Sequence, residues 1–261
     1  MIKSIRGAGY LLRGLALLPK KGIFPYVVVP MIINALLFSL ALILAIGQIG
    51  ELIDWAMLQL PEWLQWLNWL MWPLLGLTAL VFCFLLVALL ANIIASPFNS
   101  LLAEAVERHL TGQQSEPQNS SSWKNALIEA PKAISGEFIK LAYFAKFAIP
   151  LGILFLIPGL NLFAPILWFI FSAWMLSLEY CDYHLGNHCI SFPNQRQLLA
   201  NERMLTLGFG TASTLATITP IINFIAMPAS VAGSTAMLVE KKILNNSPAK
   251  PKPVESHHTK N

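Results

Sequence analysis

Asn161 and Asn223 each stand three residues after a proline inside a long apolar stretch, in Pro158-Gly159-Leu160-Asn161 and Pro220-Ile221-Ile222-Asn223. A second proline follows each motif, at Pro165 and Pro228. Proline ends a hydrogen-bonded helix and asparagine caps a new one, so each stretch reads as two half-helices meeting inside an apolar block. A helix start presents free N–H groups and a partial positive charge, which suits a tetrahedral oxyanion. In hydrocarbon those amides cost several kcal/mol unless protein or a polar path satisfies them. Paired interruptions of this kind point to a solute path through a membrane. Asn161 and Asn223 either cap the second half-helices or donate side-chain amides to a ligand. The plainer alternative is a tight turn at a hairpin tip, with no ligand. Gly159, within the first motif, and Asn99, at the exit of an earlier block, join them as pore-lining candidates.

Charged side chains near the apolar blocks are few. Glu104, Glu107 and Arg108 follow Pro97, and Glu104 and Arg108 lie at the spacing of an i,i+4 helical pair. On an interfacial helix they form a solvated ion pair. Lining a vestibule, Arg108 becomes an anion-attracting group with Glu104 as its counter-charge. Arg13, Lys20 and Lys21, ahead of Gly22, form a cationic entrance. Asp182, His184 and His188 offer metal-ligand chemistry, since two histidines four apart share a helix face. Gly186 and Asn187 read as a turn that spoils that face, so no metal site is assigned. A hydrogen-bonded loop is the preferred reading of this segment. No nucleophile–base set, glycine-rich phosphate loop or paired-carboxylate site is present, so neither an enzyme nor a cofactor is expected.

The elements that hold these residues follow from composition. Of 261 residues 56% are hydrophobic and 11% charged, against about 25% charged in an ordinary soluble domain. Long uncharged runs place the chain in the membrane class. The fold class is therefore an all-α integral membrane protein, residues 1–244 forming one helical membrane domain. Residues 1–22 read as an amphipathic interfacial helix, with Ile5, Leu11, Leu12, Leu15 and Leu18 on one side and Lys3, Arg6, Arg13, Lys20 and Lys21 on the other. Residues 26–49 and 70–94 read as transmembrane helices. Trp55, Trp63, Trp66, Trp69 and Trp72 crowd the segment between them and the entry of the second, and mark an interfacial belt. Ser96-Pro97-Phe98-Asn99-Ser100 reads as a break before a resumed helix, residues 111–122 as a polar loop, and Trp123 to Lys146 as a long amphipathic helix with Glu129/Lys132 and Glu137/Lys140 pairs. Residues 147–178 and 205–239 are the two broken blocks. The half before the first break, Phe147 to Ile157, reaches only about 16 Å. Such short halves favour re-entrant hairpins over single broken spans. Residues 245–261 read as a disordered tail.

Basic residues precede the first block and follow the last, and none lies between the first two blocks. Both termini are therefore expected on the cytoplasmic side. These charges flank apolar runs and form no stripe, which argues against nucleic acid. Cys181 and Cys189 lie toward that same face, where a disulfide is not expected.

Ser96-Pro97-Phe98-Asn99-Ser100-Leu101-Leu102-Ala103-Glu104 resembles the Pro-Phe-Asn-x-Leu-Leu-Ala-Glu segment of the CysZ sulfate transporter family. Pro165-Ile166-Leu167-Trp168-Phe169 through Ser172-Ala173-Trp174-Met175-Leu176 resembles its third block. Tyr180-Cys181-Asp182-Tyr183 with Asn187-His188, and Pro61-Glu62-Trp63-Leu64-Gln65-Trp66-Leu67, are similar too. The resemblance implies sulfate uptake across the bacterial inner membrane, without an ATP-hydrolysing subunit and by a channel-like route, to supply cysteine synthesis. It implies two long spans and two partly inserted hairpins in a homo-oligomer within the phospholipid bilayer, with sulfite as a second candidate anion. Family members carry a Gly-hydrophobic-Arg element before the first span, linked to sulfate binding. Gly22-Ile23-Phe24-Pro25 lacks that arginine, and the upstream Lys20 and Lys21 have no planar fork to replace it. His184 also stands where the family usually has proline.

Three readings compete: passive sulfate passage along the half-helix ends, a proton-coupled carrier using Glu104, Glu179 or Asp182, and a non-transporting membrane scaffold. On the first, Asn161→Leu and Asn223→Leu each lower sulfate flux in proteoliposomes while the protein still folds. Unchanged flux in both variants removes these side chains from the mechanism.

Overall fold

A computed structural model describes residues 2–58, 68–112 and 123–243, and these form eight helices. They are α1 (Ile2–Leu17), α2 (Pro25–Leu58), α3 (Asn68–Thr111), α4 (Trp123–Leu154), α5 (Ala164–Asn187), α6 (Phe192–Asn201), α7 (Arg203–Ile218) and α8 (Pro220–Glu240). There is no strand among the described residues. The helices at Pro25–Leu44, Ala164–Asn187 and Pro220–Glu240 are long and apolar enough to cross a membrane. Trp63, Trp66, most of the polar loop and the tail lie outside the described residues, as do the side chains of Trp72 and the Glu129/Lys132 pair.

Proline starts helices here more often than it ends them. Pro25 and Pro220 open α2 and α8, where a missing N–H costs nothing and a fixed φ helps. Pro30, Pro73 and Pro97 lie inside continuous helix. The break expected at Ser96–Ser100 is therefore absent: α3 runs through Pro97 to Thr111. An interior proline loses one backbone bond and crowds one carbonyl, at about 3 kcal/mol. A full break in an apolar setting strands several backbone groups, so continuing is the cheaper course. The segment before the first true break is also longer than expected. Phe147 to Leu154 is the end of α4, a helix of 32 residues.

The chain divides into two compact units, residues 24–101 and residues 1–23 with 102–261. In the first, many of the described apolar side chains of α2 and the front of α3 are exposed. Leu36, Ile43, Leu44, Leu77, Phe82 and Phe84 are all exposed, as suits helices made for lipid or for other helices. The second unit holds two helical hairpins. Across the α4–α5 hairpin Phe155 meets Trp168, Phe147 meets Phe171 and the Trp174 indole N–H donates to the Tyr143 hydroxyl at 3.1 Å. Partners move up one helix as they move down the other, so the two run antiparallel. Farther from the tip, Lys140 binds Asp182, and the Gln195 amide donates both to Asp182 and, at 2.8 Å, to the Ile190 carbonyl. This network ties α6 to the base of the hairpin. Burial alone would lower the Lys140 ammonium's pKa, but its bonds to Asp182 and Glu137 carry it well above the ordinary lysine value.

Small residues bring the second hairpin close. Every residue of α8 from Ala229 to Leu238 is buried, and most are Ala, Gly, Ser, Thr or Val. Ser230 donates to Ser213 of α7 at 3.1 Å, and Ser234 to the Tyr180 carbonyl of α5 at 2.8 Å. Helix α1 lies across both α7 and α8. A methyl group on Gly7 would sit 2.0 Å from the Leu205 carbonyl oxygen, and one on Gly14 would sit 2.0 Å from that of Ala229. The face of α1 packed into the protein is thus Gly7, Tyr10, Gly14 and Leu17, while Ile5, Leu12 and Leu15 stay exposed.

The end of α5 corrects one further expectation. No turn forms at Gly186-Asn187: the helix runs to Asn187, with His188 as its C-cap. Cys189 then takes φ 56, its N–H reaching the Gly186 carbonyl at 2.8 Å, and the Ile190 N–H reaches that of Leu185 at 3.1 Å. These two bonds form a Schellman cap, completed by buried Leu185 and Ile190.

Two stability predictions follow the backbone. Gly7→Ala lowers the thermal midpoint in detergent by the equivalent of about 1–3 kcal/mol, as overpacking does, whereas Gly9→Ala, which has open space around it, leaves it unchanged or raises it by up to about 1 kcal/mol. Equal effects at the two positions would contradict the close approach. Cys189→Gly raises the same midpoint by roughly 0.5–1 kcal/mol, because glycine takes the left-handed cap without strain.

Candidate functional site

The interruptions fall where the two Pro/Asn motifs stand, but the asparagines do not cap. Between α4 and α5 the chain turns through residues 155–163, with Gly159 at φ 86. The N-cap of α5 is Phe163, without a side-chain cap bond, and Pro165 lies in the first turn. Asn161 precedes it and donates its backbone N–H to Ile157 at 3.0 Å. At the second break the N-cap is Thr219, whose hydroxyl donates back to Leu215 at 2.9 Å. Asn223 is already inside α8, its N–H on the Thr219 carbonyl at 2.8 Å. The reason is proline itself: its fixed φ sets the first helical turn, leaving Asn161 too early and Asn223 too late to cap. Both asparagines are exposed, among exposed Leu156, Leu160 and Leu162 at one tip and Ile221, Ile222 and Phe224 at the other.

The remaining candidates are charged or polar groups away from those tips. Asn99 is buried within α3. Glu104 and Arg108 pair at 3.9 Å, each about one-third exposed. Arg13 pairs with Glu240 at the end of α8, at 3.4 Å. Lys20, Lys21 and Gly22 are exposed in the turns after α1, Gly22 at φ 92. Arg13 also lines a cleft of about 260 Å³ with Arg6, Gly9, Tyr10, Glu240 and Lys241. Three cations and one carboxylate line it, so the cleft carries a net positive charge. Burial and the Glu240 carboxylate together push the Tyr10 phenol's pKa up, which keeps it a neutral donor. The sequence pattern marked Arg13, but Arg6 and Lys241 join it only through the packing of α1 on α8.

A larger groove of about 910 Å³ runs along α4, α5, α6 and α7, past Phe147, Leu151, Ile170, Phe171 and Trp174. Its cations are Arg203 and Arg196, the latter 5.0 Å from the Tyr143 ring centre. Walls this apolar suit a hydrocarbon chain, not a hydrated dianion.

One cluster was only partly visible in the sequence pattern, which grouped His184 and His188 with Asp182. Glu107 of α3 meets His184 and His188 of α5: His188 Nε2 lies 3.0 Å from Glu107 Oε1, and His184 Nδ1 lies 3.5 Å from Oε2. Burial would raise the Glu107 carboxyl, but the His188 hydrogen bond and the neighbouring imidazoles hold it below its ordinary value. The same bond, outweighing partial burial, holds His188 above the usual imidazole range. The available signal was the i,i+4 spacing of the histidines; Glu107 lies far away in sequence. Asp182 is not part of this group and belongs to the Lys140 and Gln195 network.

Residues 10–228 match the family described as Sulfate transporter CysZ/Etoposide-induced protein 2.4. A protein of Vibrio parahaemolyticus serotype O3:K6 named Sulfate transporter CysZ is 41% identical over 234 residues, covering 89% of this chain and 94% of its own length. Proteins of the same name from Vibrio cholerae serotype O1 and Pseudomonas aeruginosa strain LESB58 are 39% and 36% identical, covering 95% and 92% of this chain and 98% and 96% of their own lengths. With its helical architecture, its interrupted blocks and a match over most of its length, this chain belongs to the sulfate transporter CysZ/etoposide-induced protein 2.4 family.

Proposed function

We propose that this protein carries sulfate across the bacterial inner membrane by a passive, ATP-independent route, supplying sulfur for cysteine synthesis. The observation that carries this reading is the near full-length similarity to proteins named as sulfate transporters. The interrupted helices support it physically. Sulfate keeps two charges at neutral pH, so a path through hydrocarbon must replace its hydration with many donors. Amides at the starts of α5 and α8 supply donors without holding the ion as tightly as an arginine cluster would. Their apolar tips favour insertion of both hairpins into the bilayer from the cytoplasmic side. Arg6, Arg13 and Lys241, with Lys20 and Lys21 nearby in sequence, gather the anion at that face. The apolar flanks of α2 and α3 suit packing in a homo-oligomer.

The test is radiolabelled sulfate uptake into vesicles holding only this protein. Uptake exceeds that of empty vesicles, follows the sulfate gradient and is unaffected by a pH gradient. The double variant Arg6→Gln/Arg13→Gln lowers the initial rate several-fold at low ionic strength and by less at high salt, where screening already weakens the attraction. No uptake above empty vesicles would favour a scaffold, and uptake that requires a pH gradient would establish a proton-coupled carrier.

A further inference from the structure

We infer that Glu107, His184 and His188 form a binding site for a zinc-type transition-metal dication, which clamps the end of α3 to the end of α5. One atom from each residue, a carboxylate oxygen and two imidazole nitrogens, lies within 4.8 Å of the others. The histidine rings are 4.9 Å apart, centre to centre, and inclined at 66°, and each has a nitrogen within 3.5 Å of a carboxylate oxygen. His188 Nε2 is 3.0 and 3.1 Å from the two Glu107 oxygens. His184 is the informative member. Its side chain is wholly buried, and neither ring nitrogen has a hydrogen-bond partner among the described residues. A buried imidazole that makes no hydrogen bond is unfavourable, and natural proteins seldom keep one unused.

A metal ion accounts for this arrangement. Bound near the carboxylate, it takes His184 Nδ1, His188 Nε2 and a Glu107 oxygen as three ligands. In a tetrahedral site with bonds of about 2.0–2.1 Å, ligand atoms stand roughly 3.3 Å apart. Measured to one and the same oxygen, Glu107 Oε2, the separations are 3.1 Å from His188 Nε2 and 3.5 Å from His184 Nδ1, either side of that value. Two imidazoles and a single carboxylate suit zinc, cobalt or nickel, whereas calcium and magnesium prefer a shell of oxygens. The fourth position opens to water, since Glu107 and His188 retain 24% and 39% side-chain exposure. The Schellman cap holds the site's geometry by keeping His188 one helical turn beyond His184. The continuation of α5 thus removes the ground on which the sequence pattern excluded a metal, and Glu107 replaces Asp182 as the carboxylate ligand.

The experiment uses the untagged full chain in detergent, stripped with EDTA, exposed to zinc alone and dialysed. It is run in a His109→Ala/His257→Ala/His258→Ala background to remove other histidines. One zinc per chain is retained, the thermal midpoint rises by several degrees on zinc addition, and cobalt gives the intense visible bands of four-coordination. Glu107→Gln and His188→Ala each weaken zinc retention by at least about tenfold. Both positions are partly exposed, so these variants fold even if His184→Ala does not. Loss of zinc from the background protein, undiminished retention in both variants, or the pale spectrum of six-coordinate cobalt would overturn the assignment.

Discussion

The second unit depends on how closely its backbones approach along the inner half of α8. A helix with no exposed face must be met on every side, and side chains of ordinary size would hold the neighbours too far away. From Ala229 to Leu238 most positions are small, and Gly7, Gly14, Gly208, Gly210 and Gly233 remove the Cβ at the tightest crossings. Such contact brings dispersion and backbone complementarity into play, which matter most where lipid is as apolar as any side chain. Small residues also bring hydroxyls. Ser177 donates to the Thr206 carbonyl at 2.7 Å and Thr206 to that of Leu199 at 3.1 Å, so these hydroxyls remain satisfied in a tight core.

The charged sites exist because this core aligns helix ends. Packing α1 across α8 carries Arg6 and Arg13 to Glu240 and Lys241. Where α5 and α7 cross, Ala173 and Ser177 press against Gly210, and the C-terminal end of α5 then meets the end of α3 at Glu107. Neither group of residues is contiguous in sequence. Each is a product of helix placement, so both vary together if the α8 core loosens.

This division explains what was legible from residues alone. The two interruptions were visible because proline acts locally: it removes a donor and fixes φ whatever surrounds it. Class and helical content were visible from long uncharged runs. Local reasoning was less reliable about what the chain does after a proline. Pro97 bends no break into α3, because a helix that continues keeps its other backbone bonds, and Asn161 and Asn223 lost the capping role to positions set by the proline ring. Gly186 looked like a terminator, yet the α5 cap falls at Cys189, where two backbone bonds and the Leu185–Ile190 contact outweigh the strain of a positive φ on a residue with a side chain. Glu107 with its histidines, and Arg6 with Lys241, were out of reach because only tertiary packing joins them.

The distribution of polarity along the hairpins bears on how they meet a bilayer. Both are helix pairs with one tip and one base. At the tips the exposed side chains are Leu156, Leu162 and Phe163 on one hairpin and Ile218, Ile221 and Phe224 on the other. At the bases stand Lys140, Asp182, Gln195 and His188 on one, and Lys3–Glu202 and Arg13–Glu240 on the other. Because α5 and α7 run antiparallel, with Ala173 against Gly210 and Ser177 bonded to Thr206, the two tips point the same way. Charged bases resist entry into hydrocarbon and apolar tips gain by it, which supports the tip-first insertion proposed above. Such an insertion also carries the starts of α5 and α8, and the amides that their prolines leave uncapped, to the greatest depth. On the function proposed above, the same prolines that interrupt the chain would also set where an anion finds its donors.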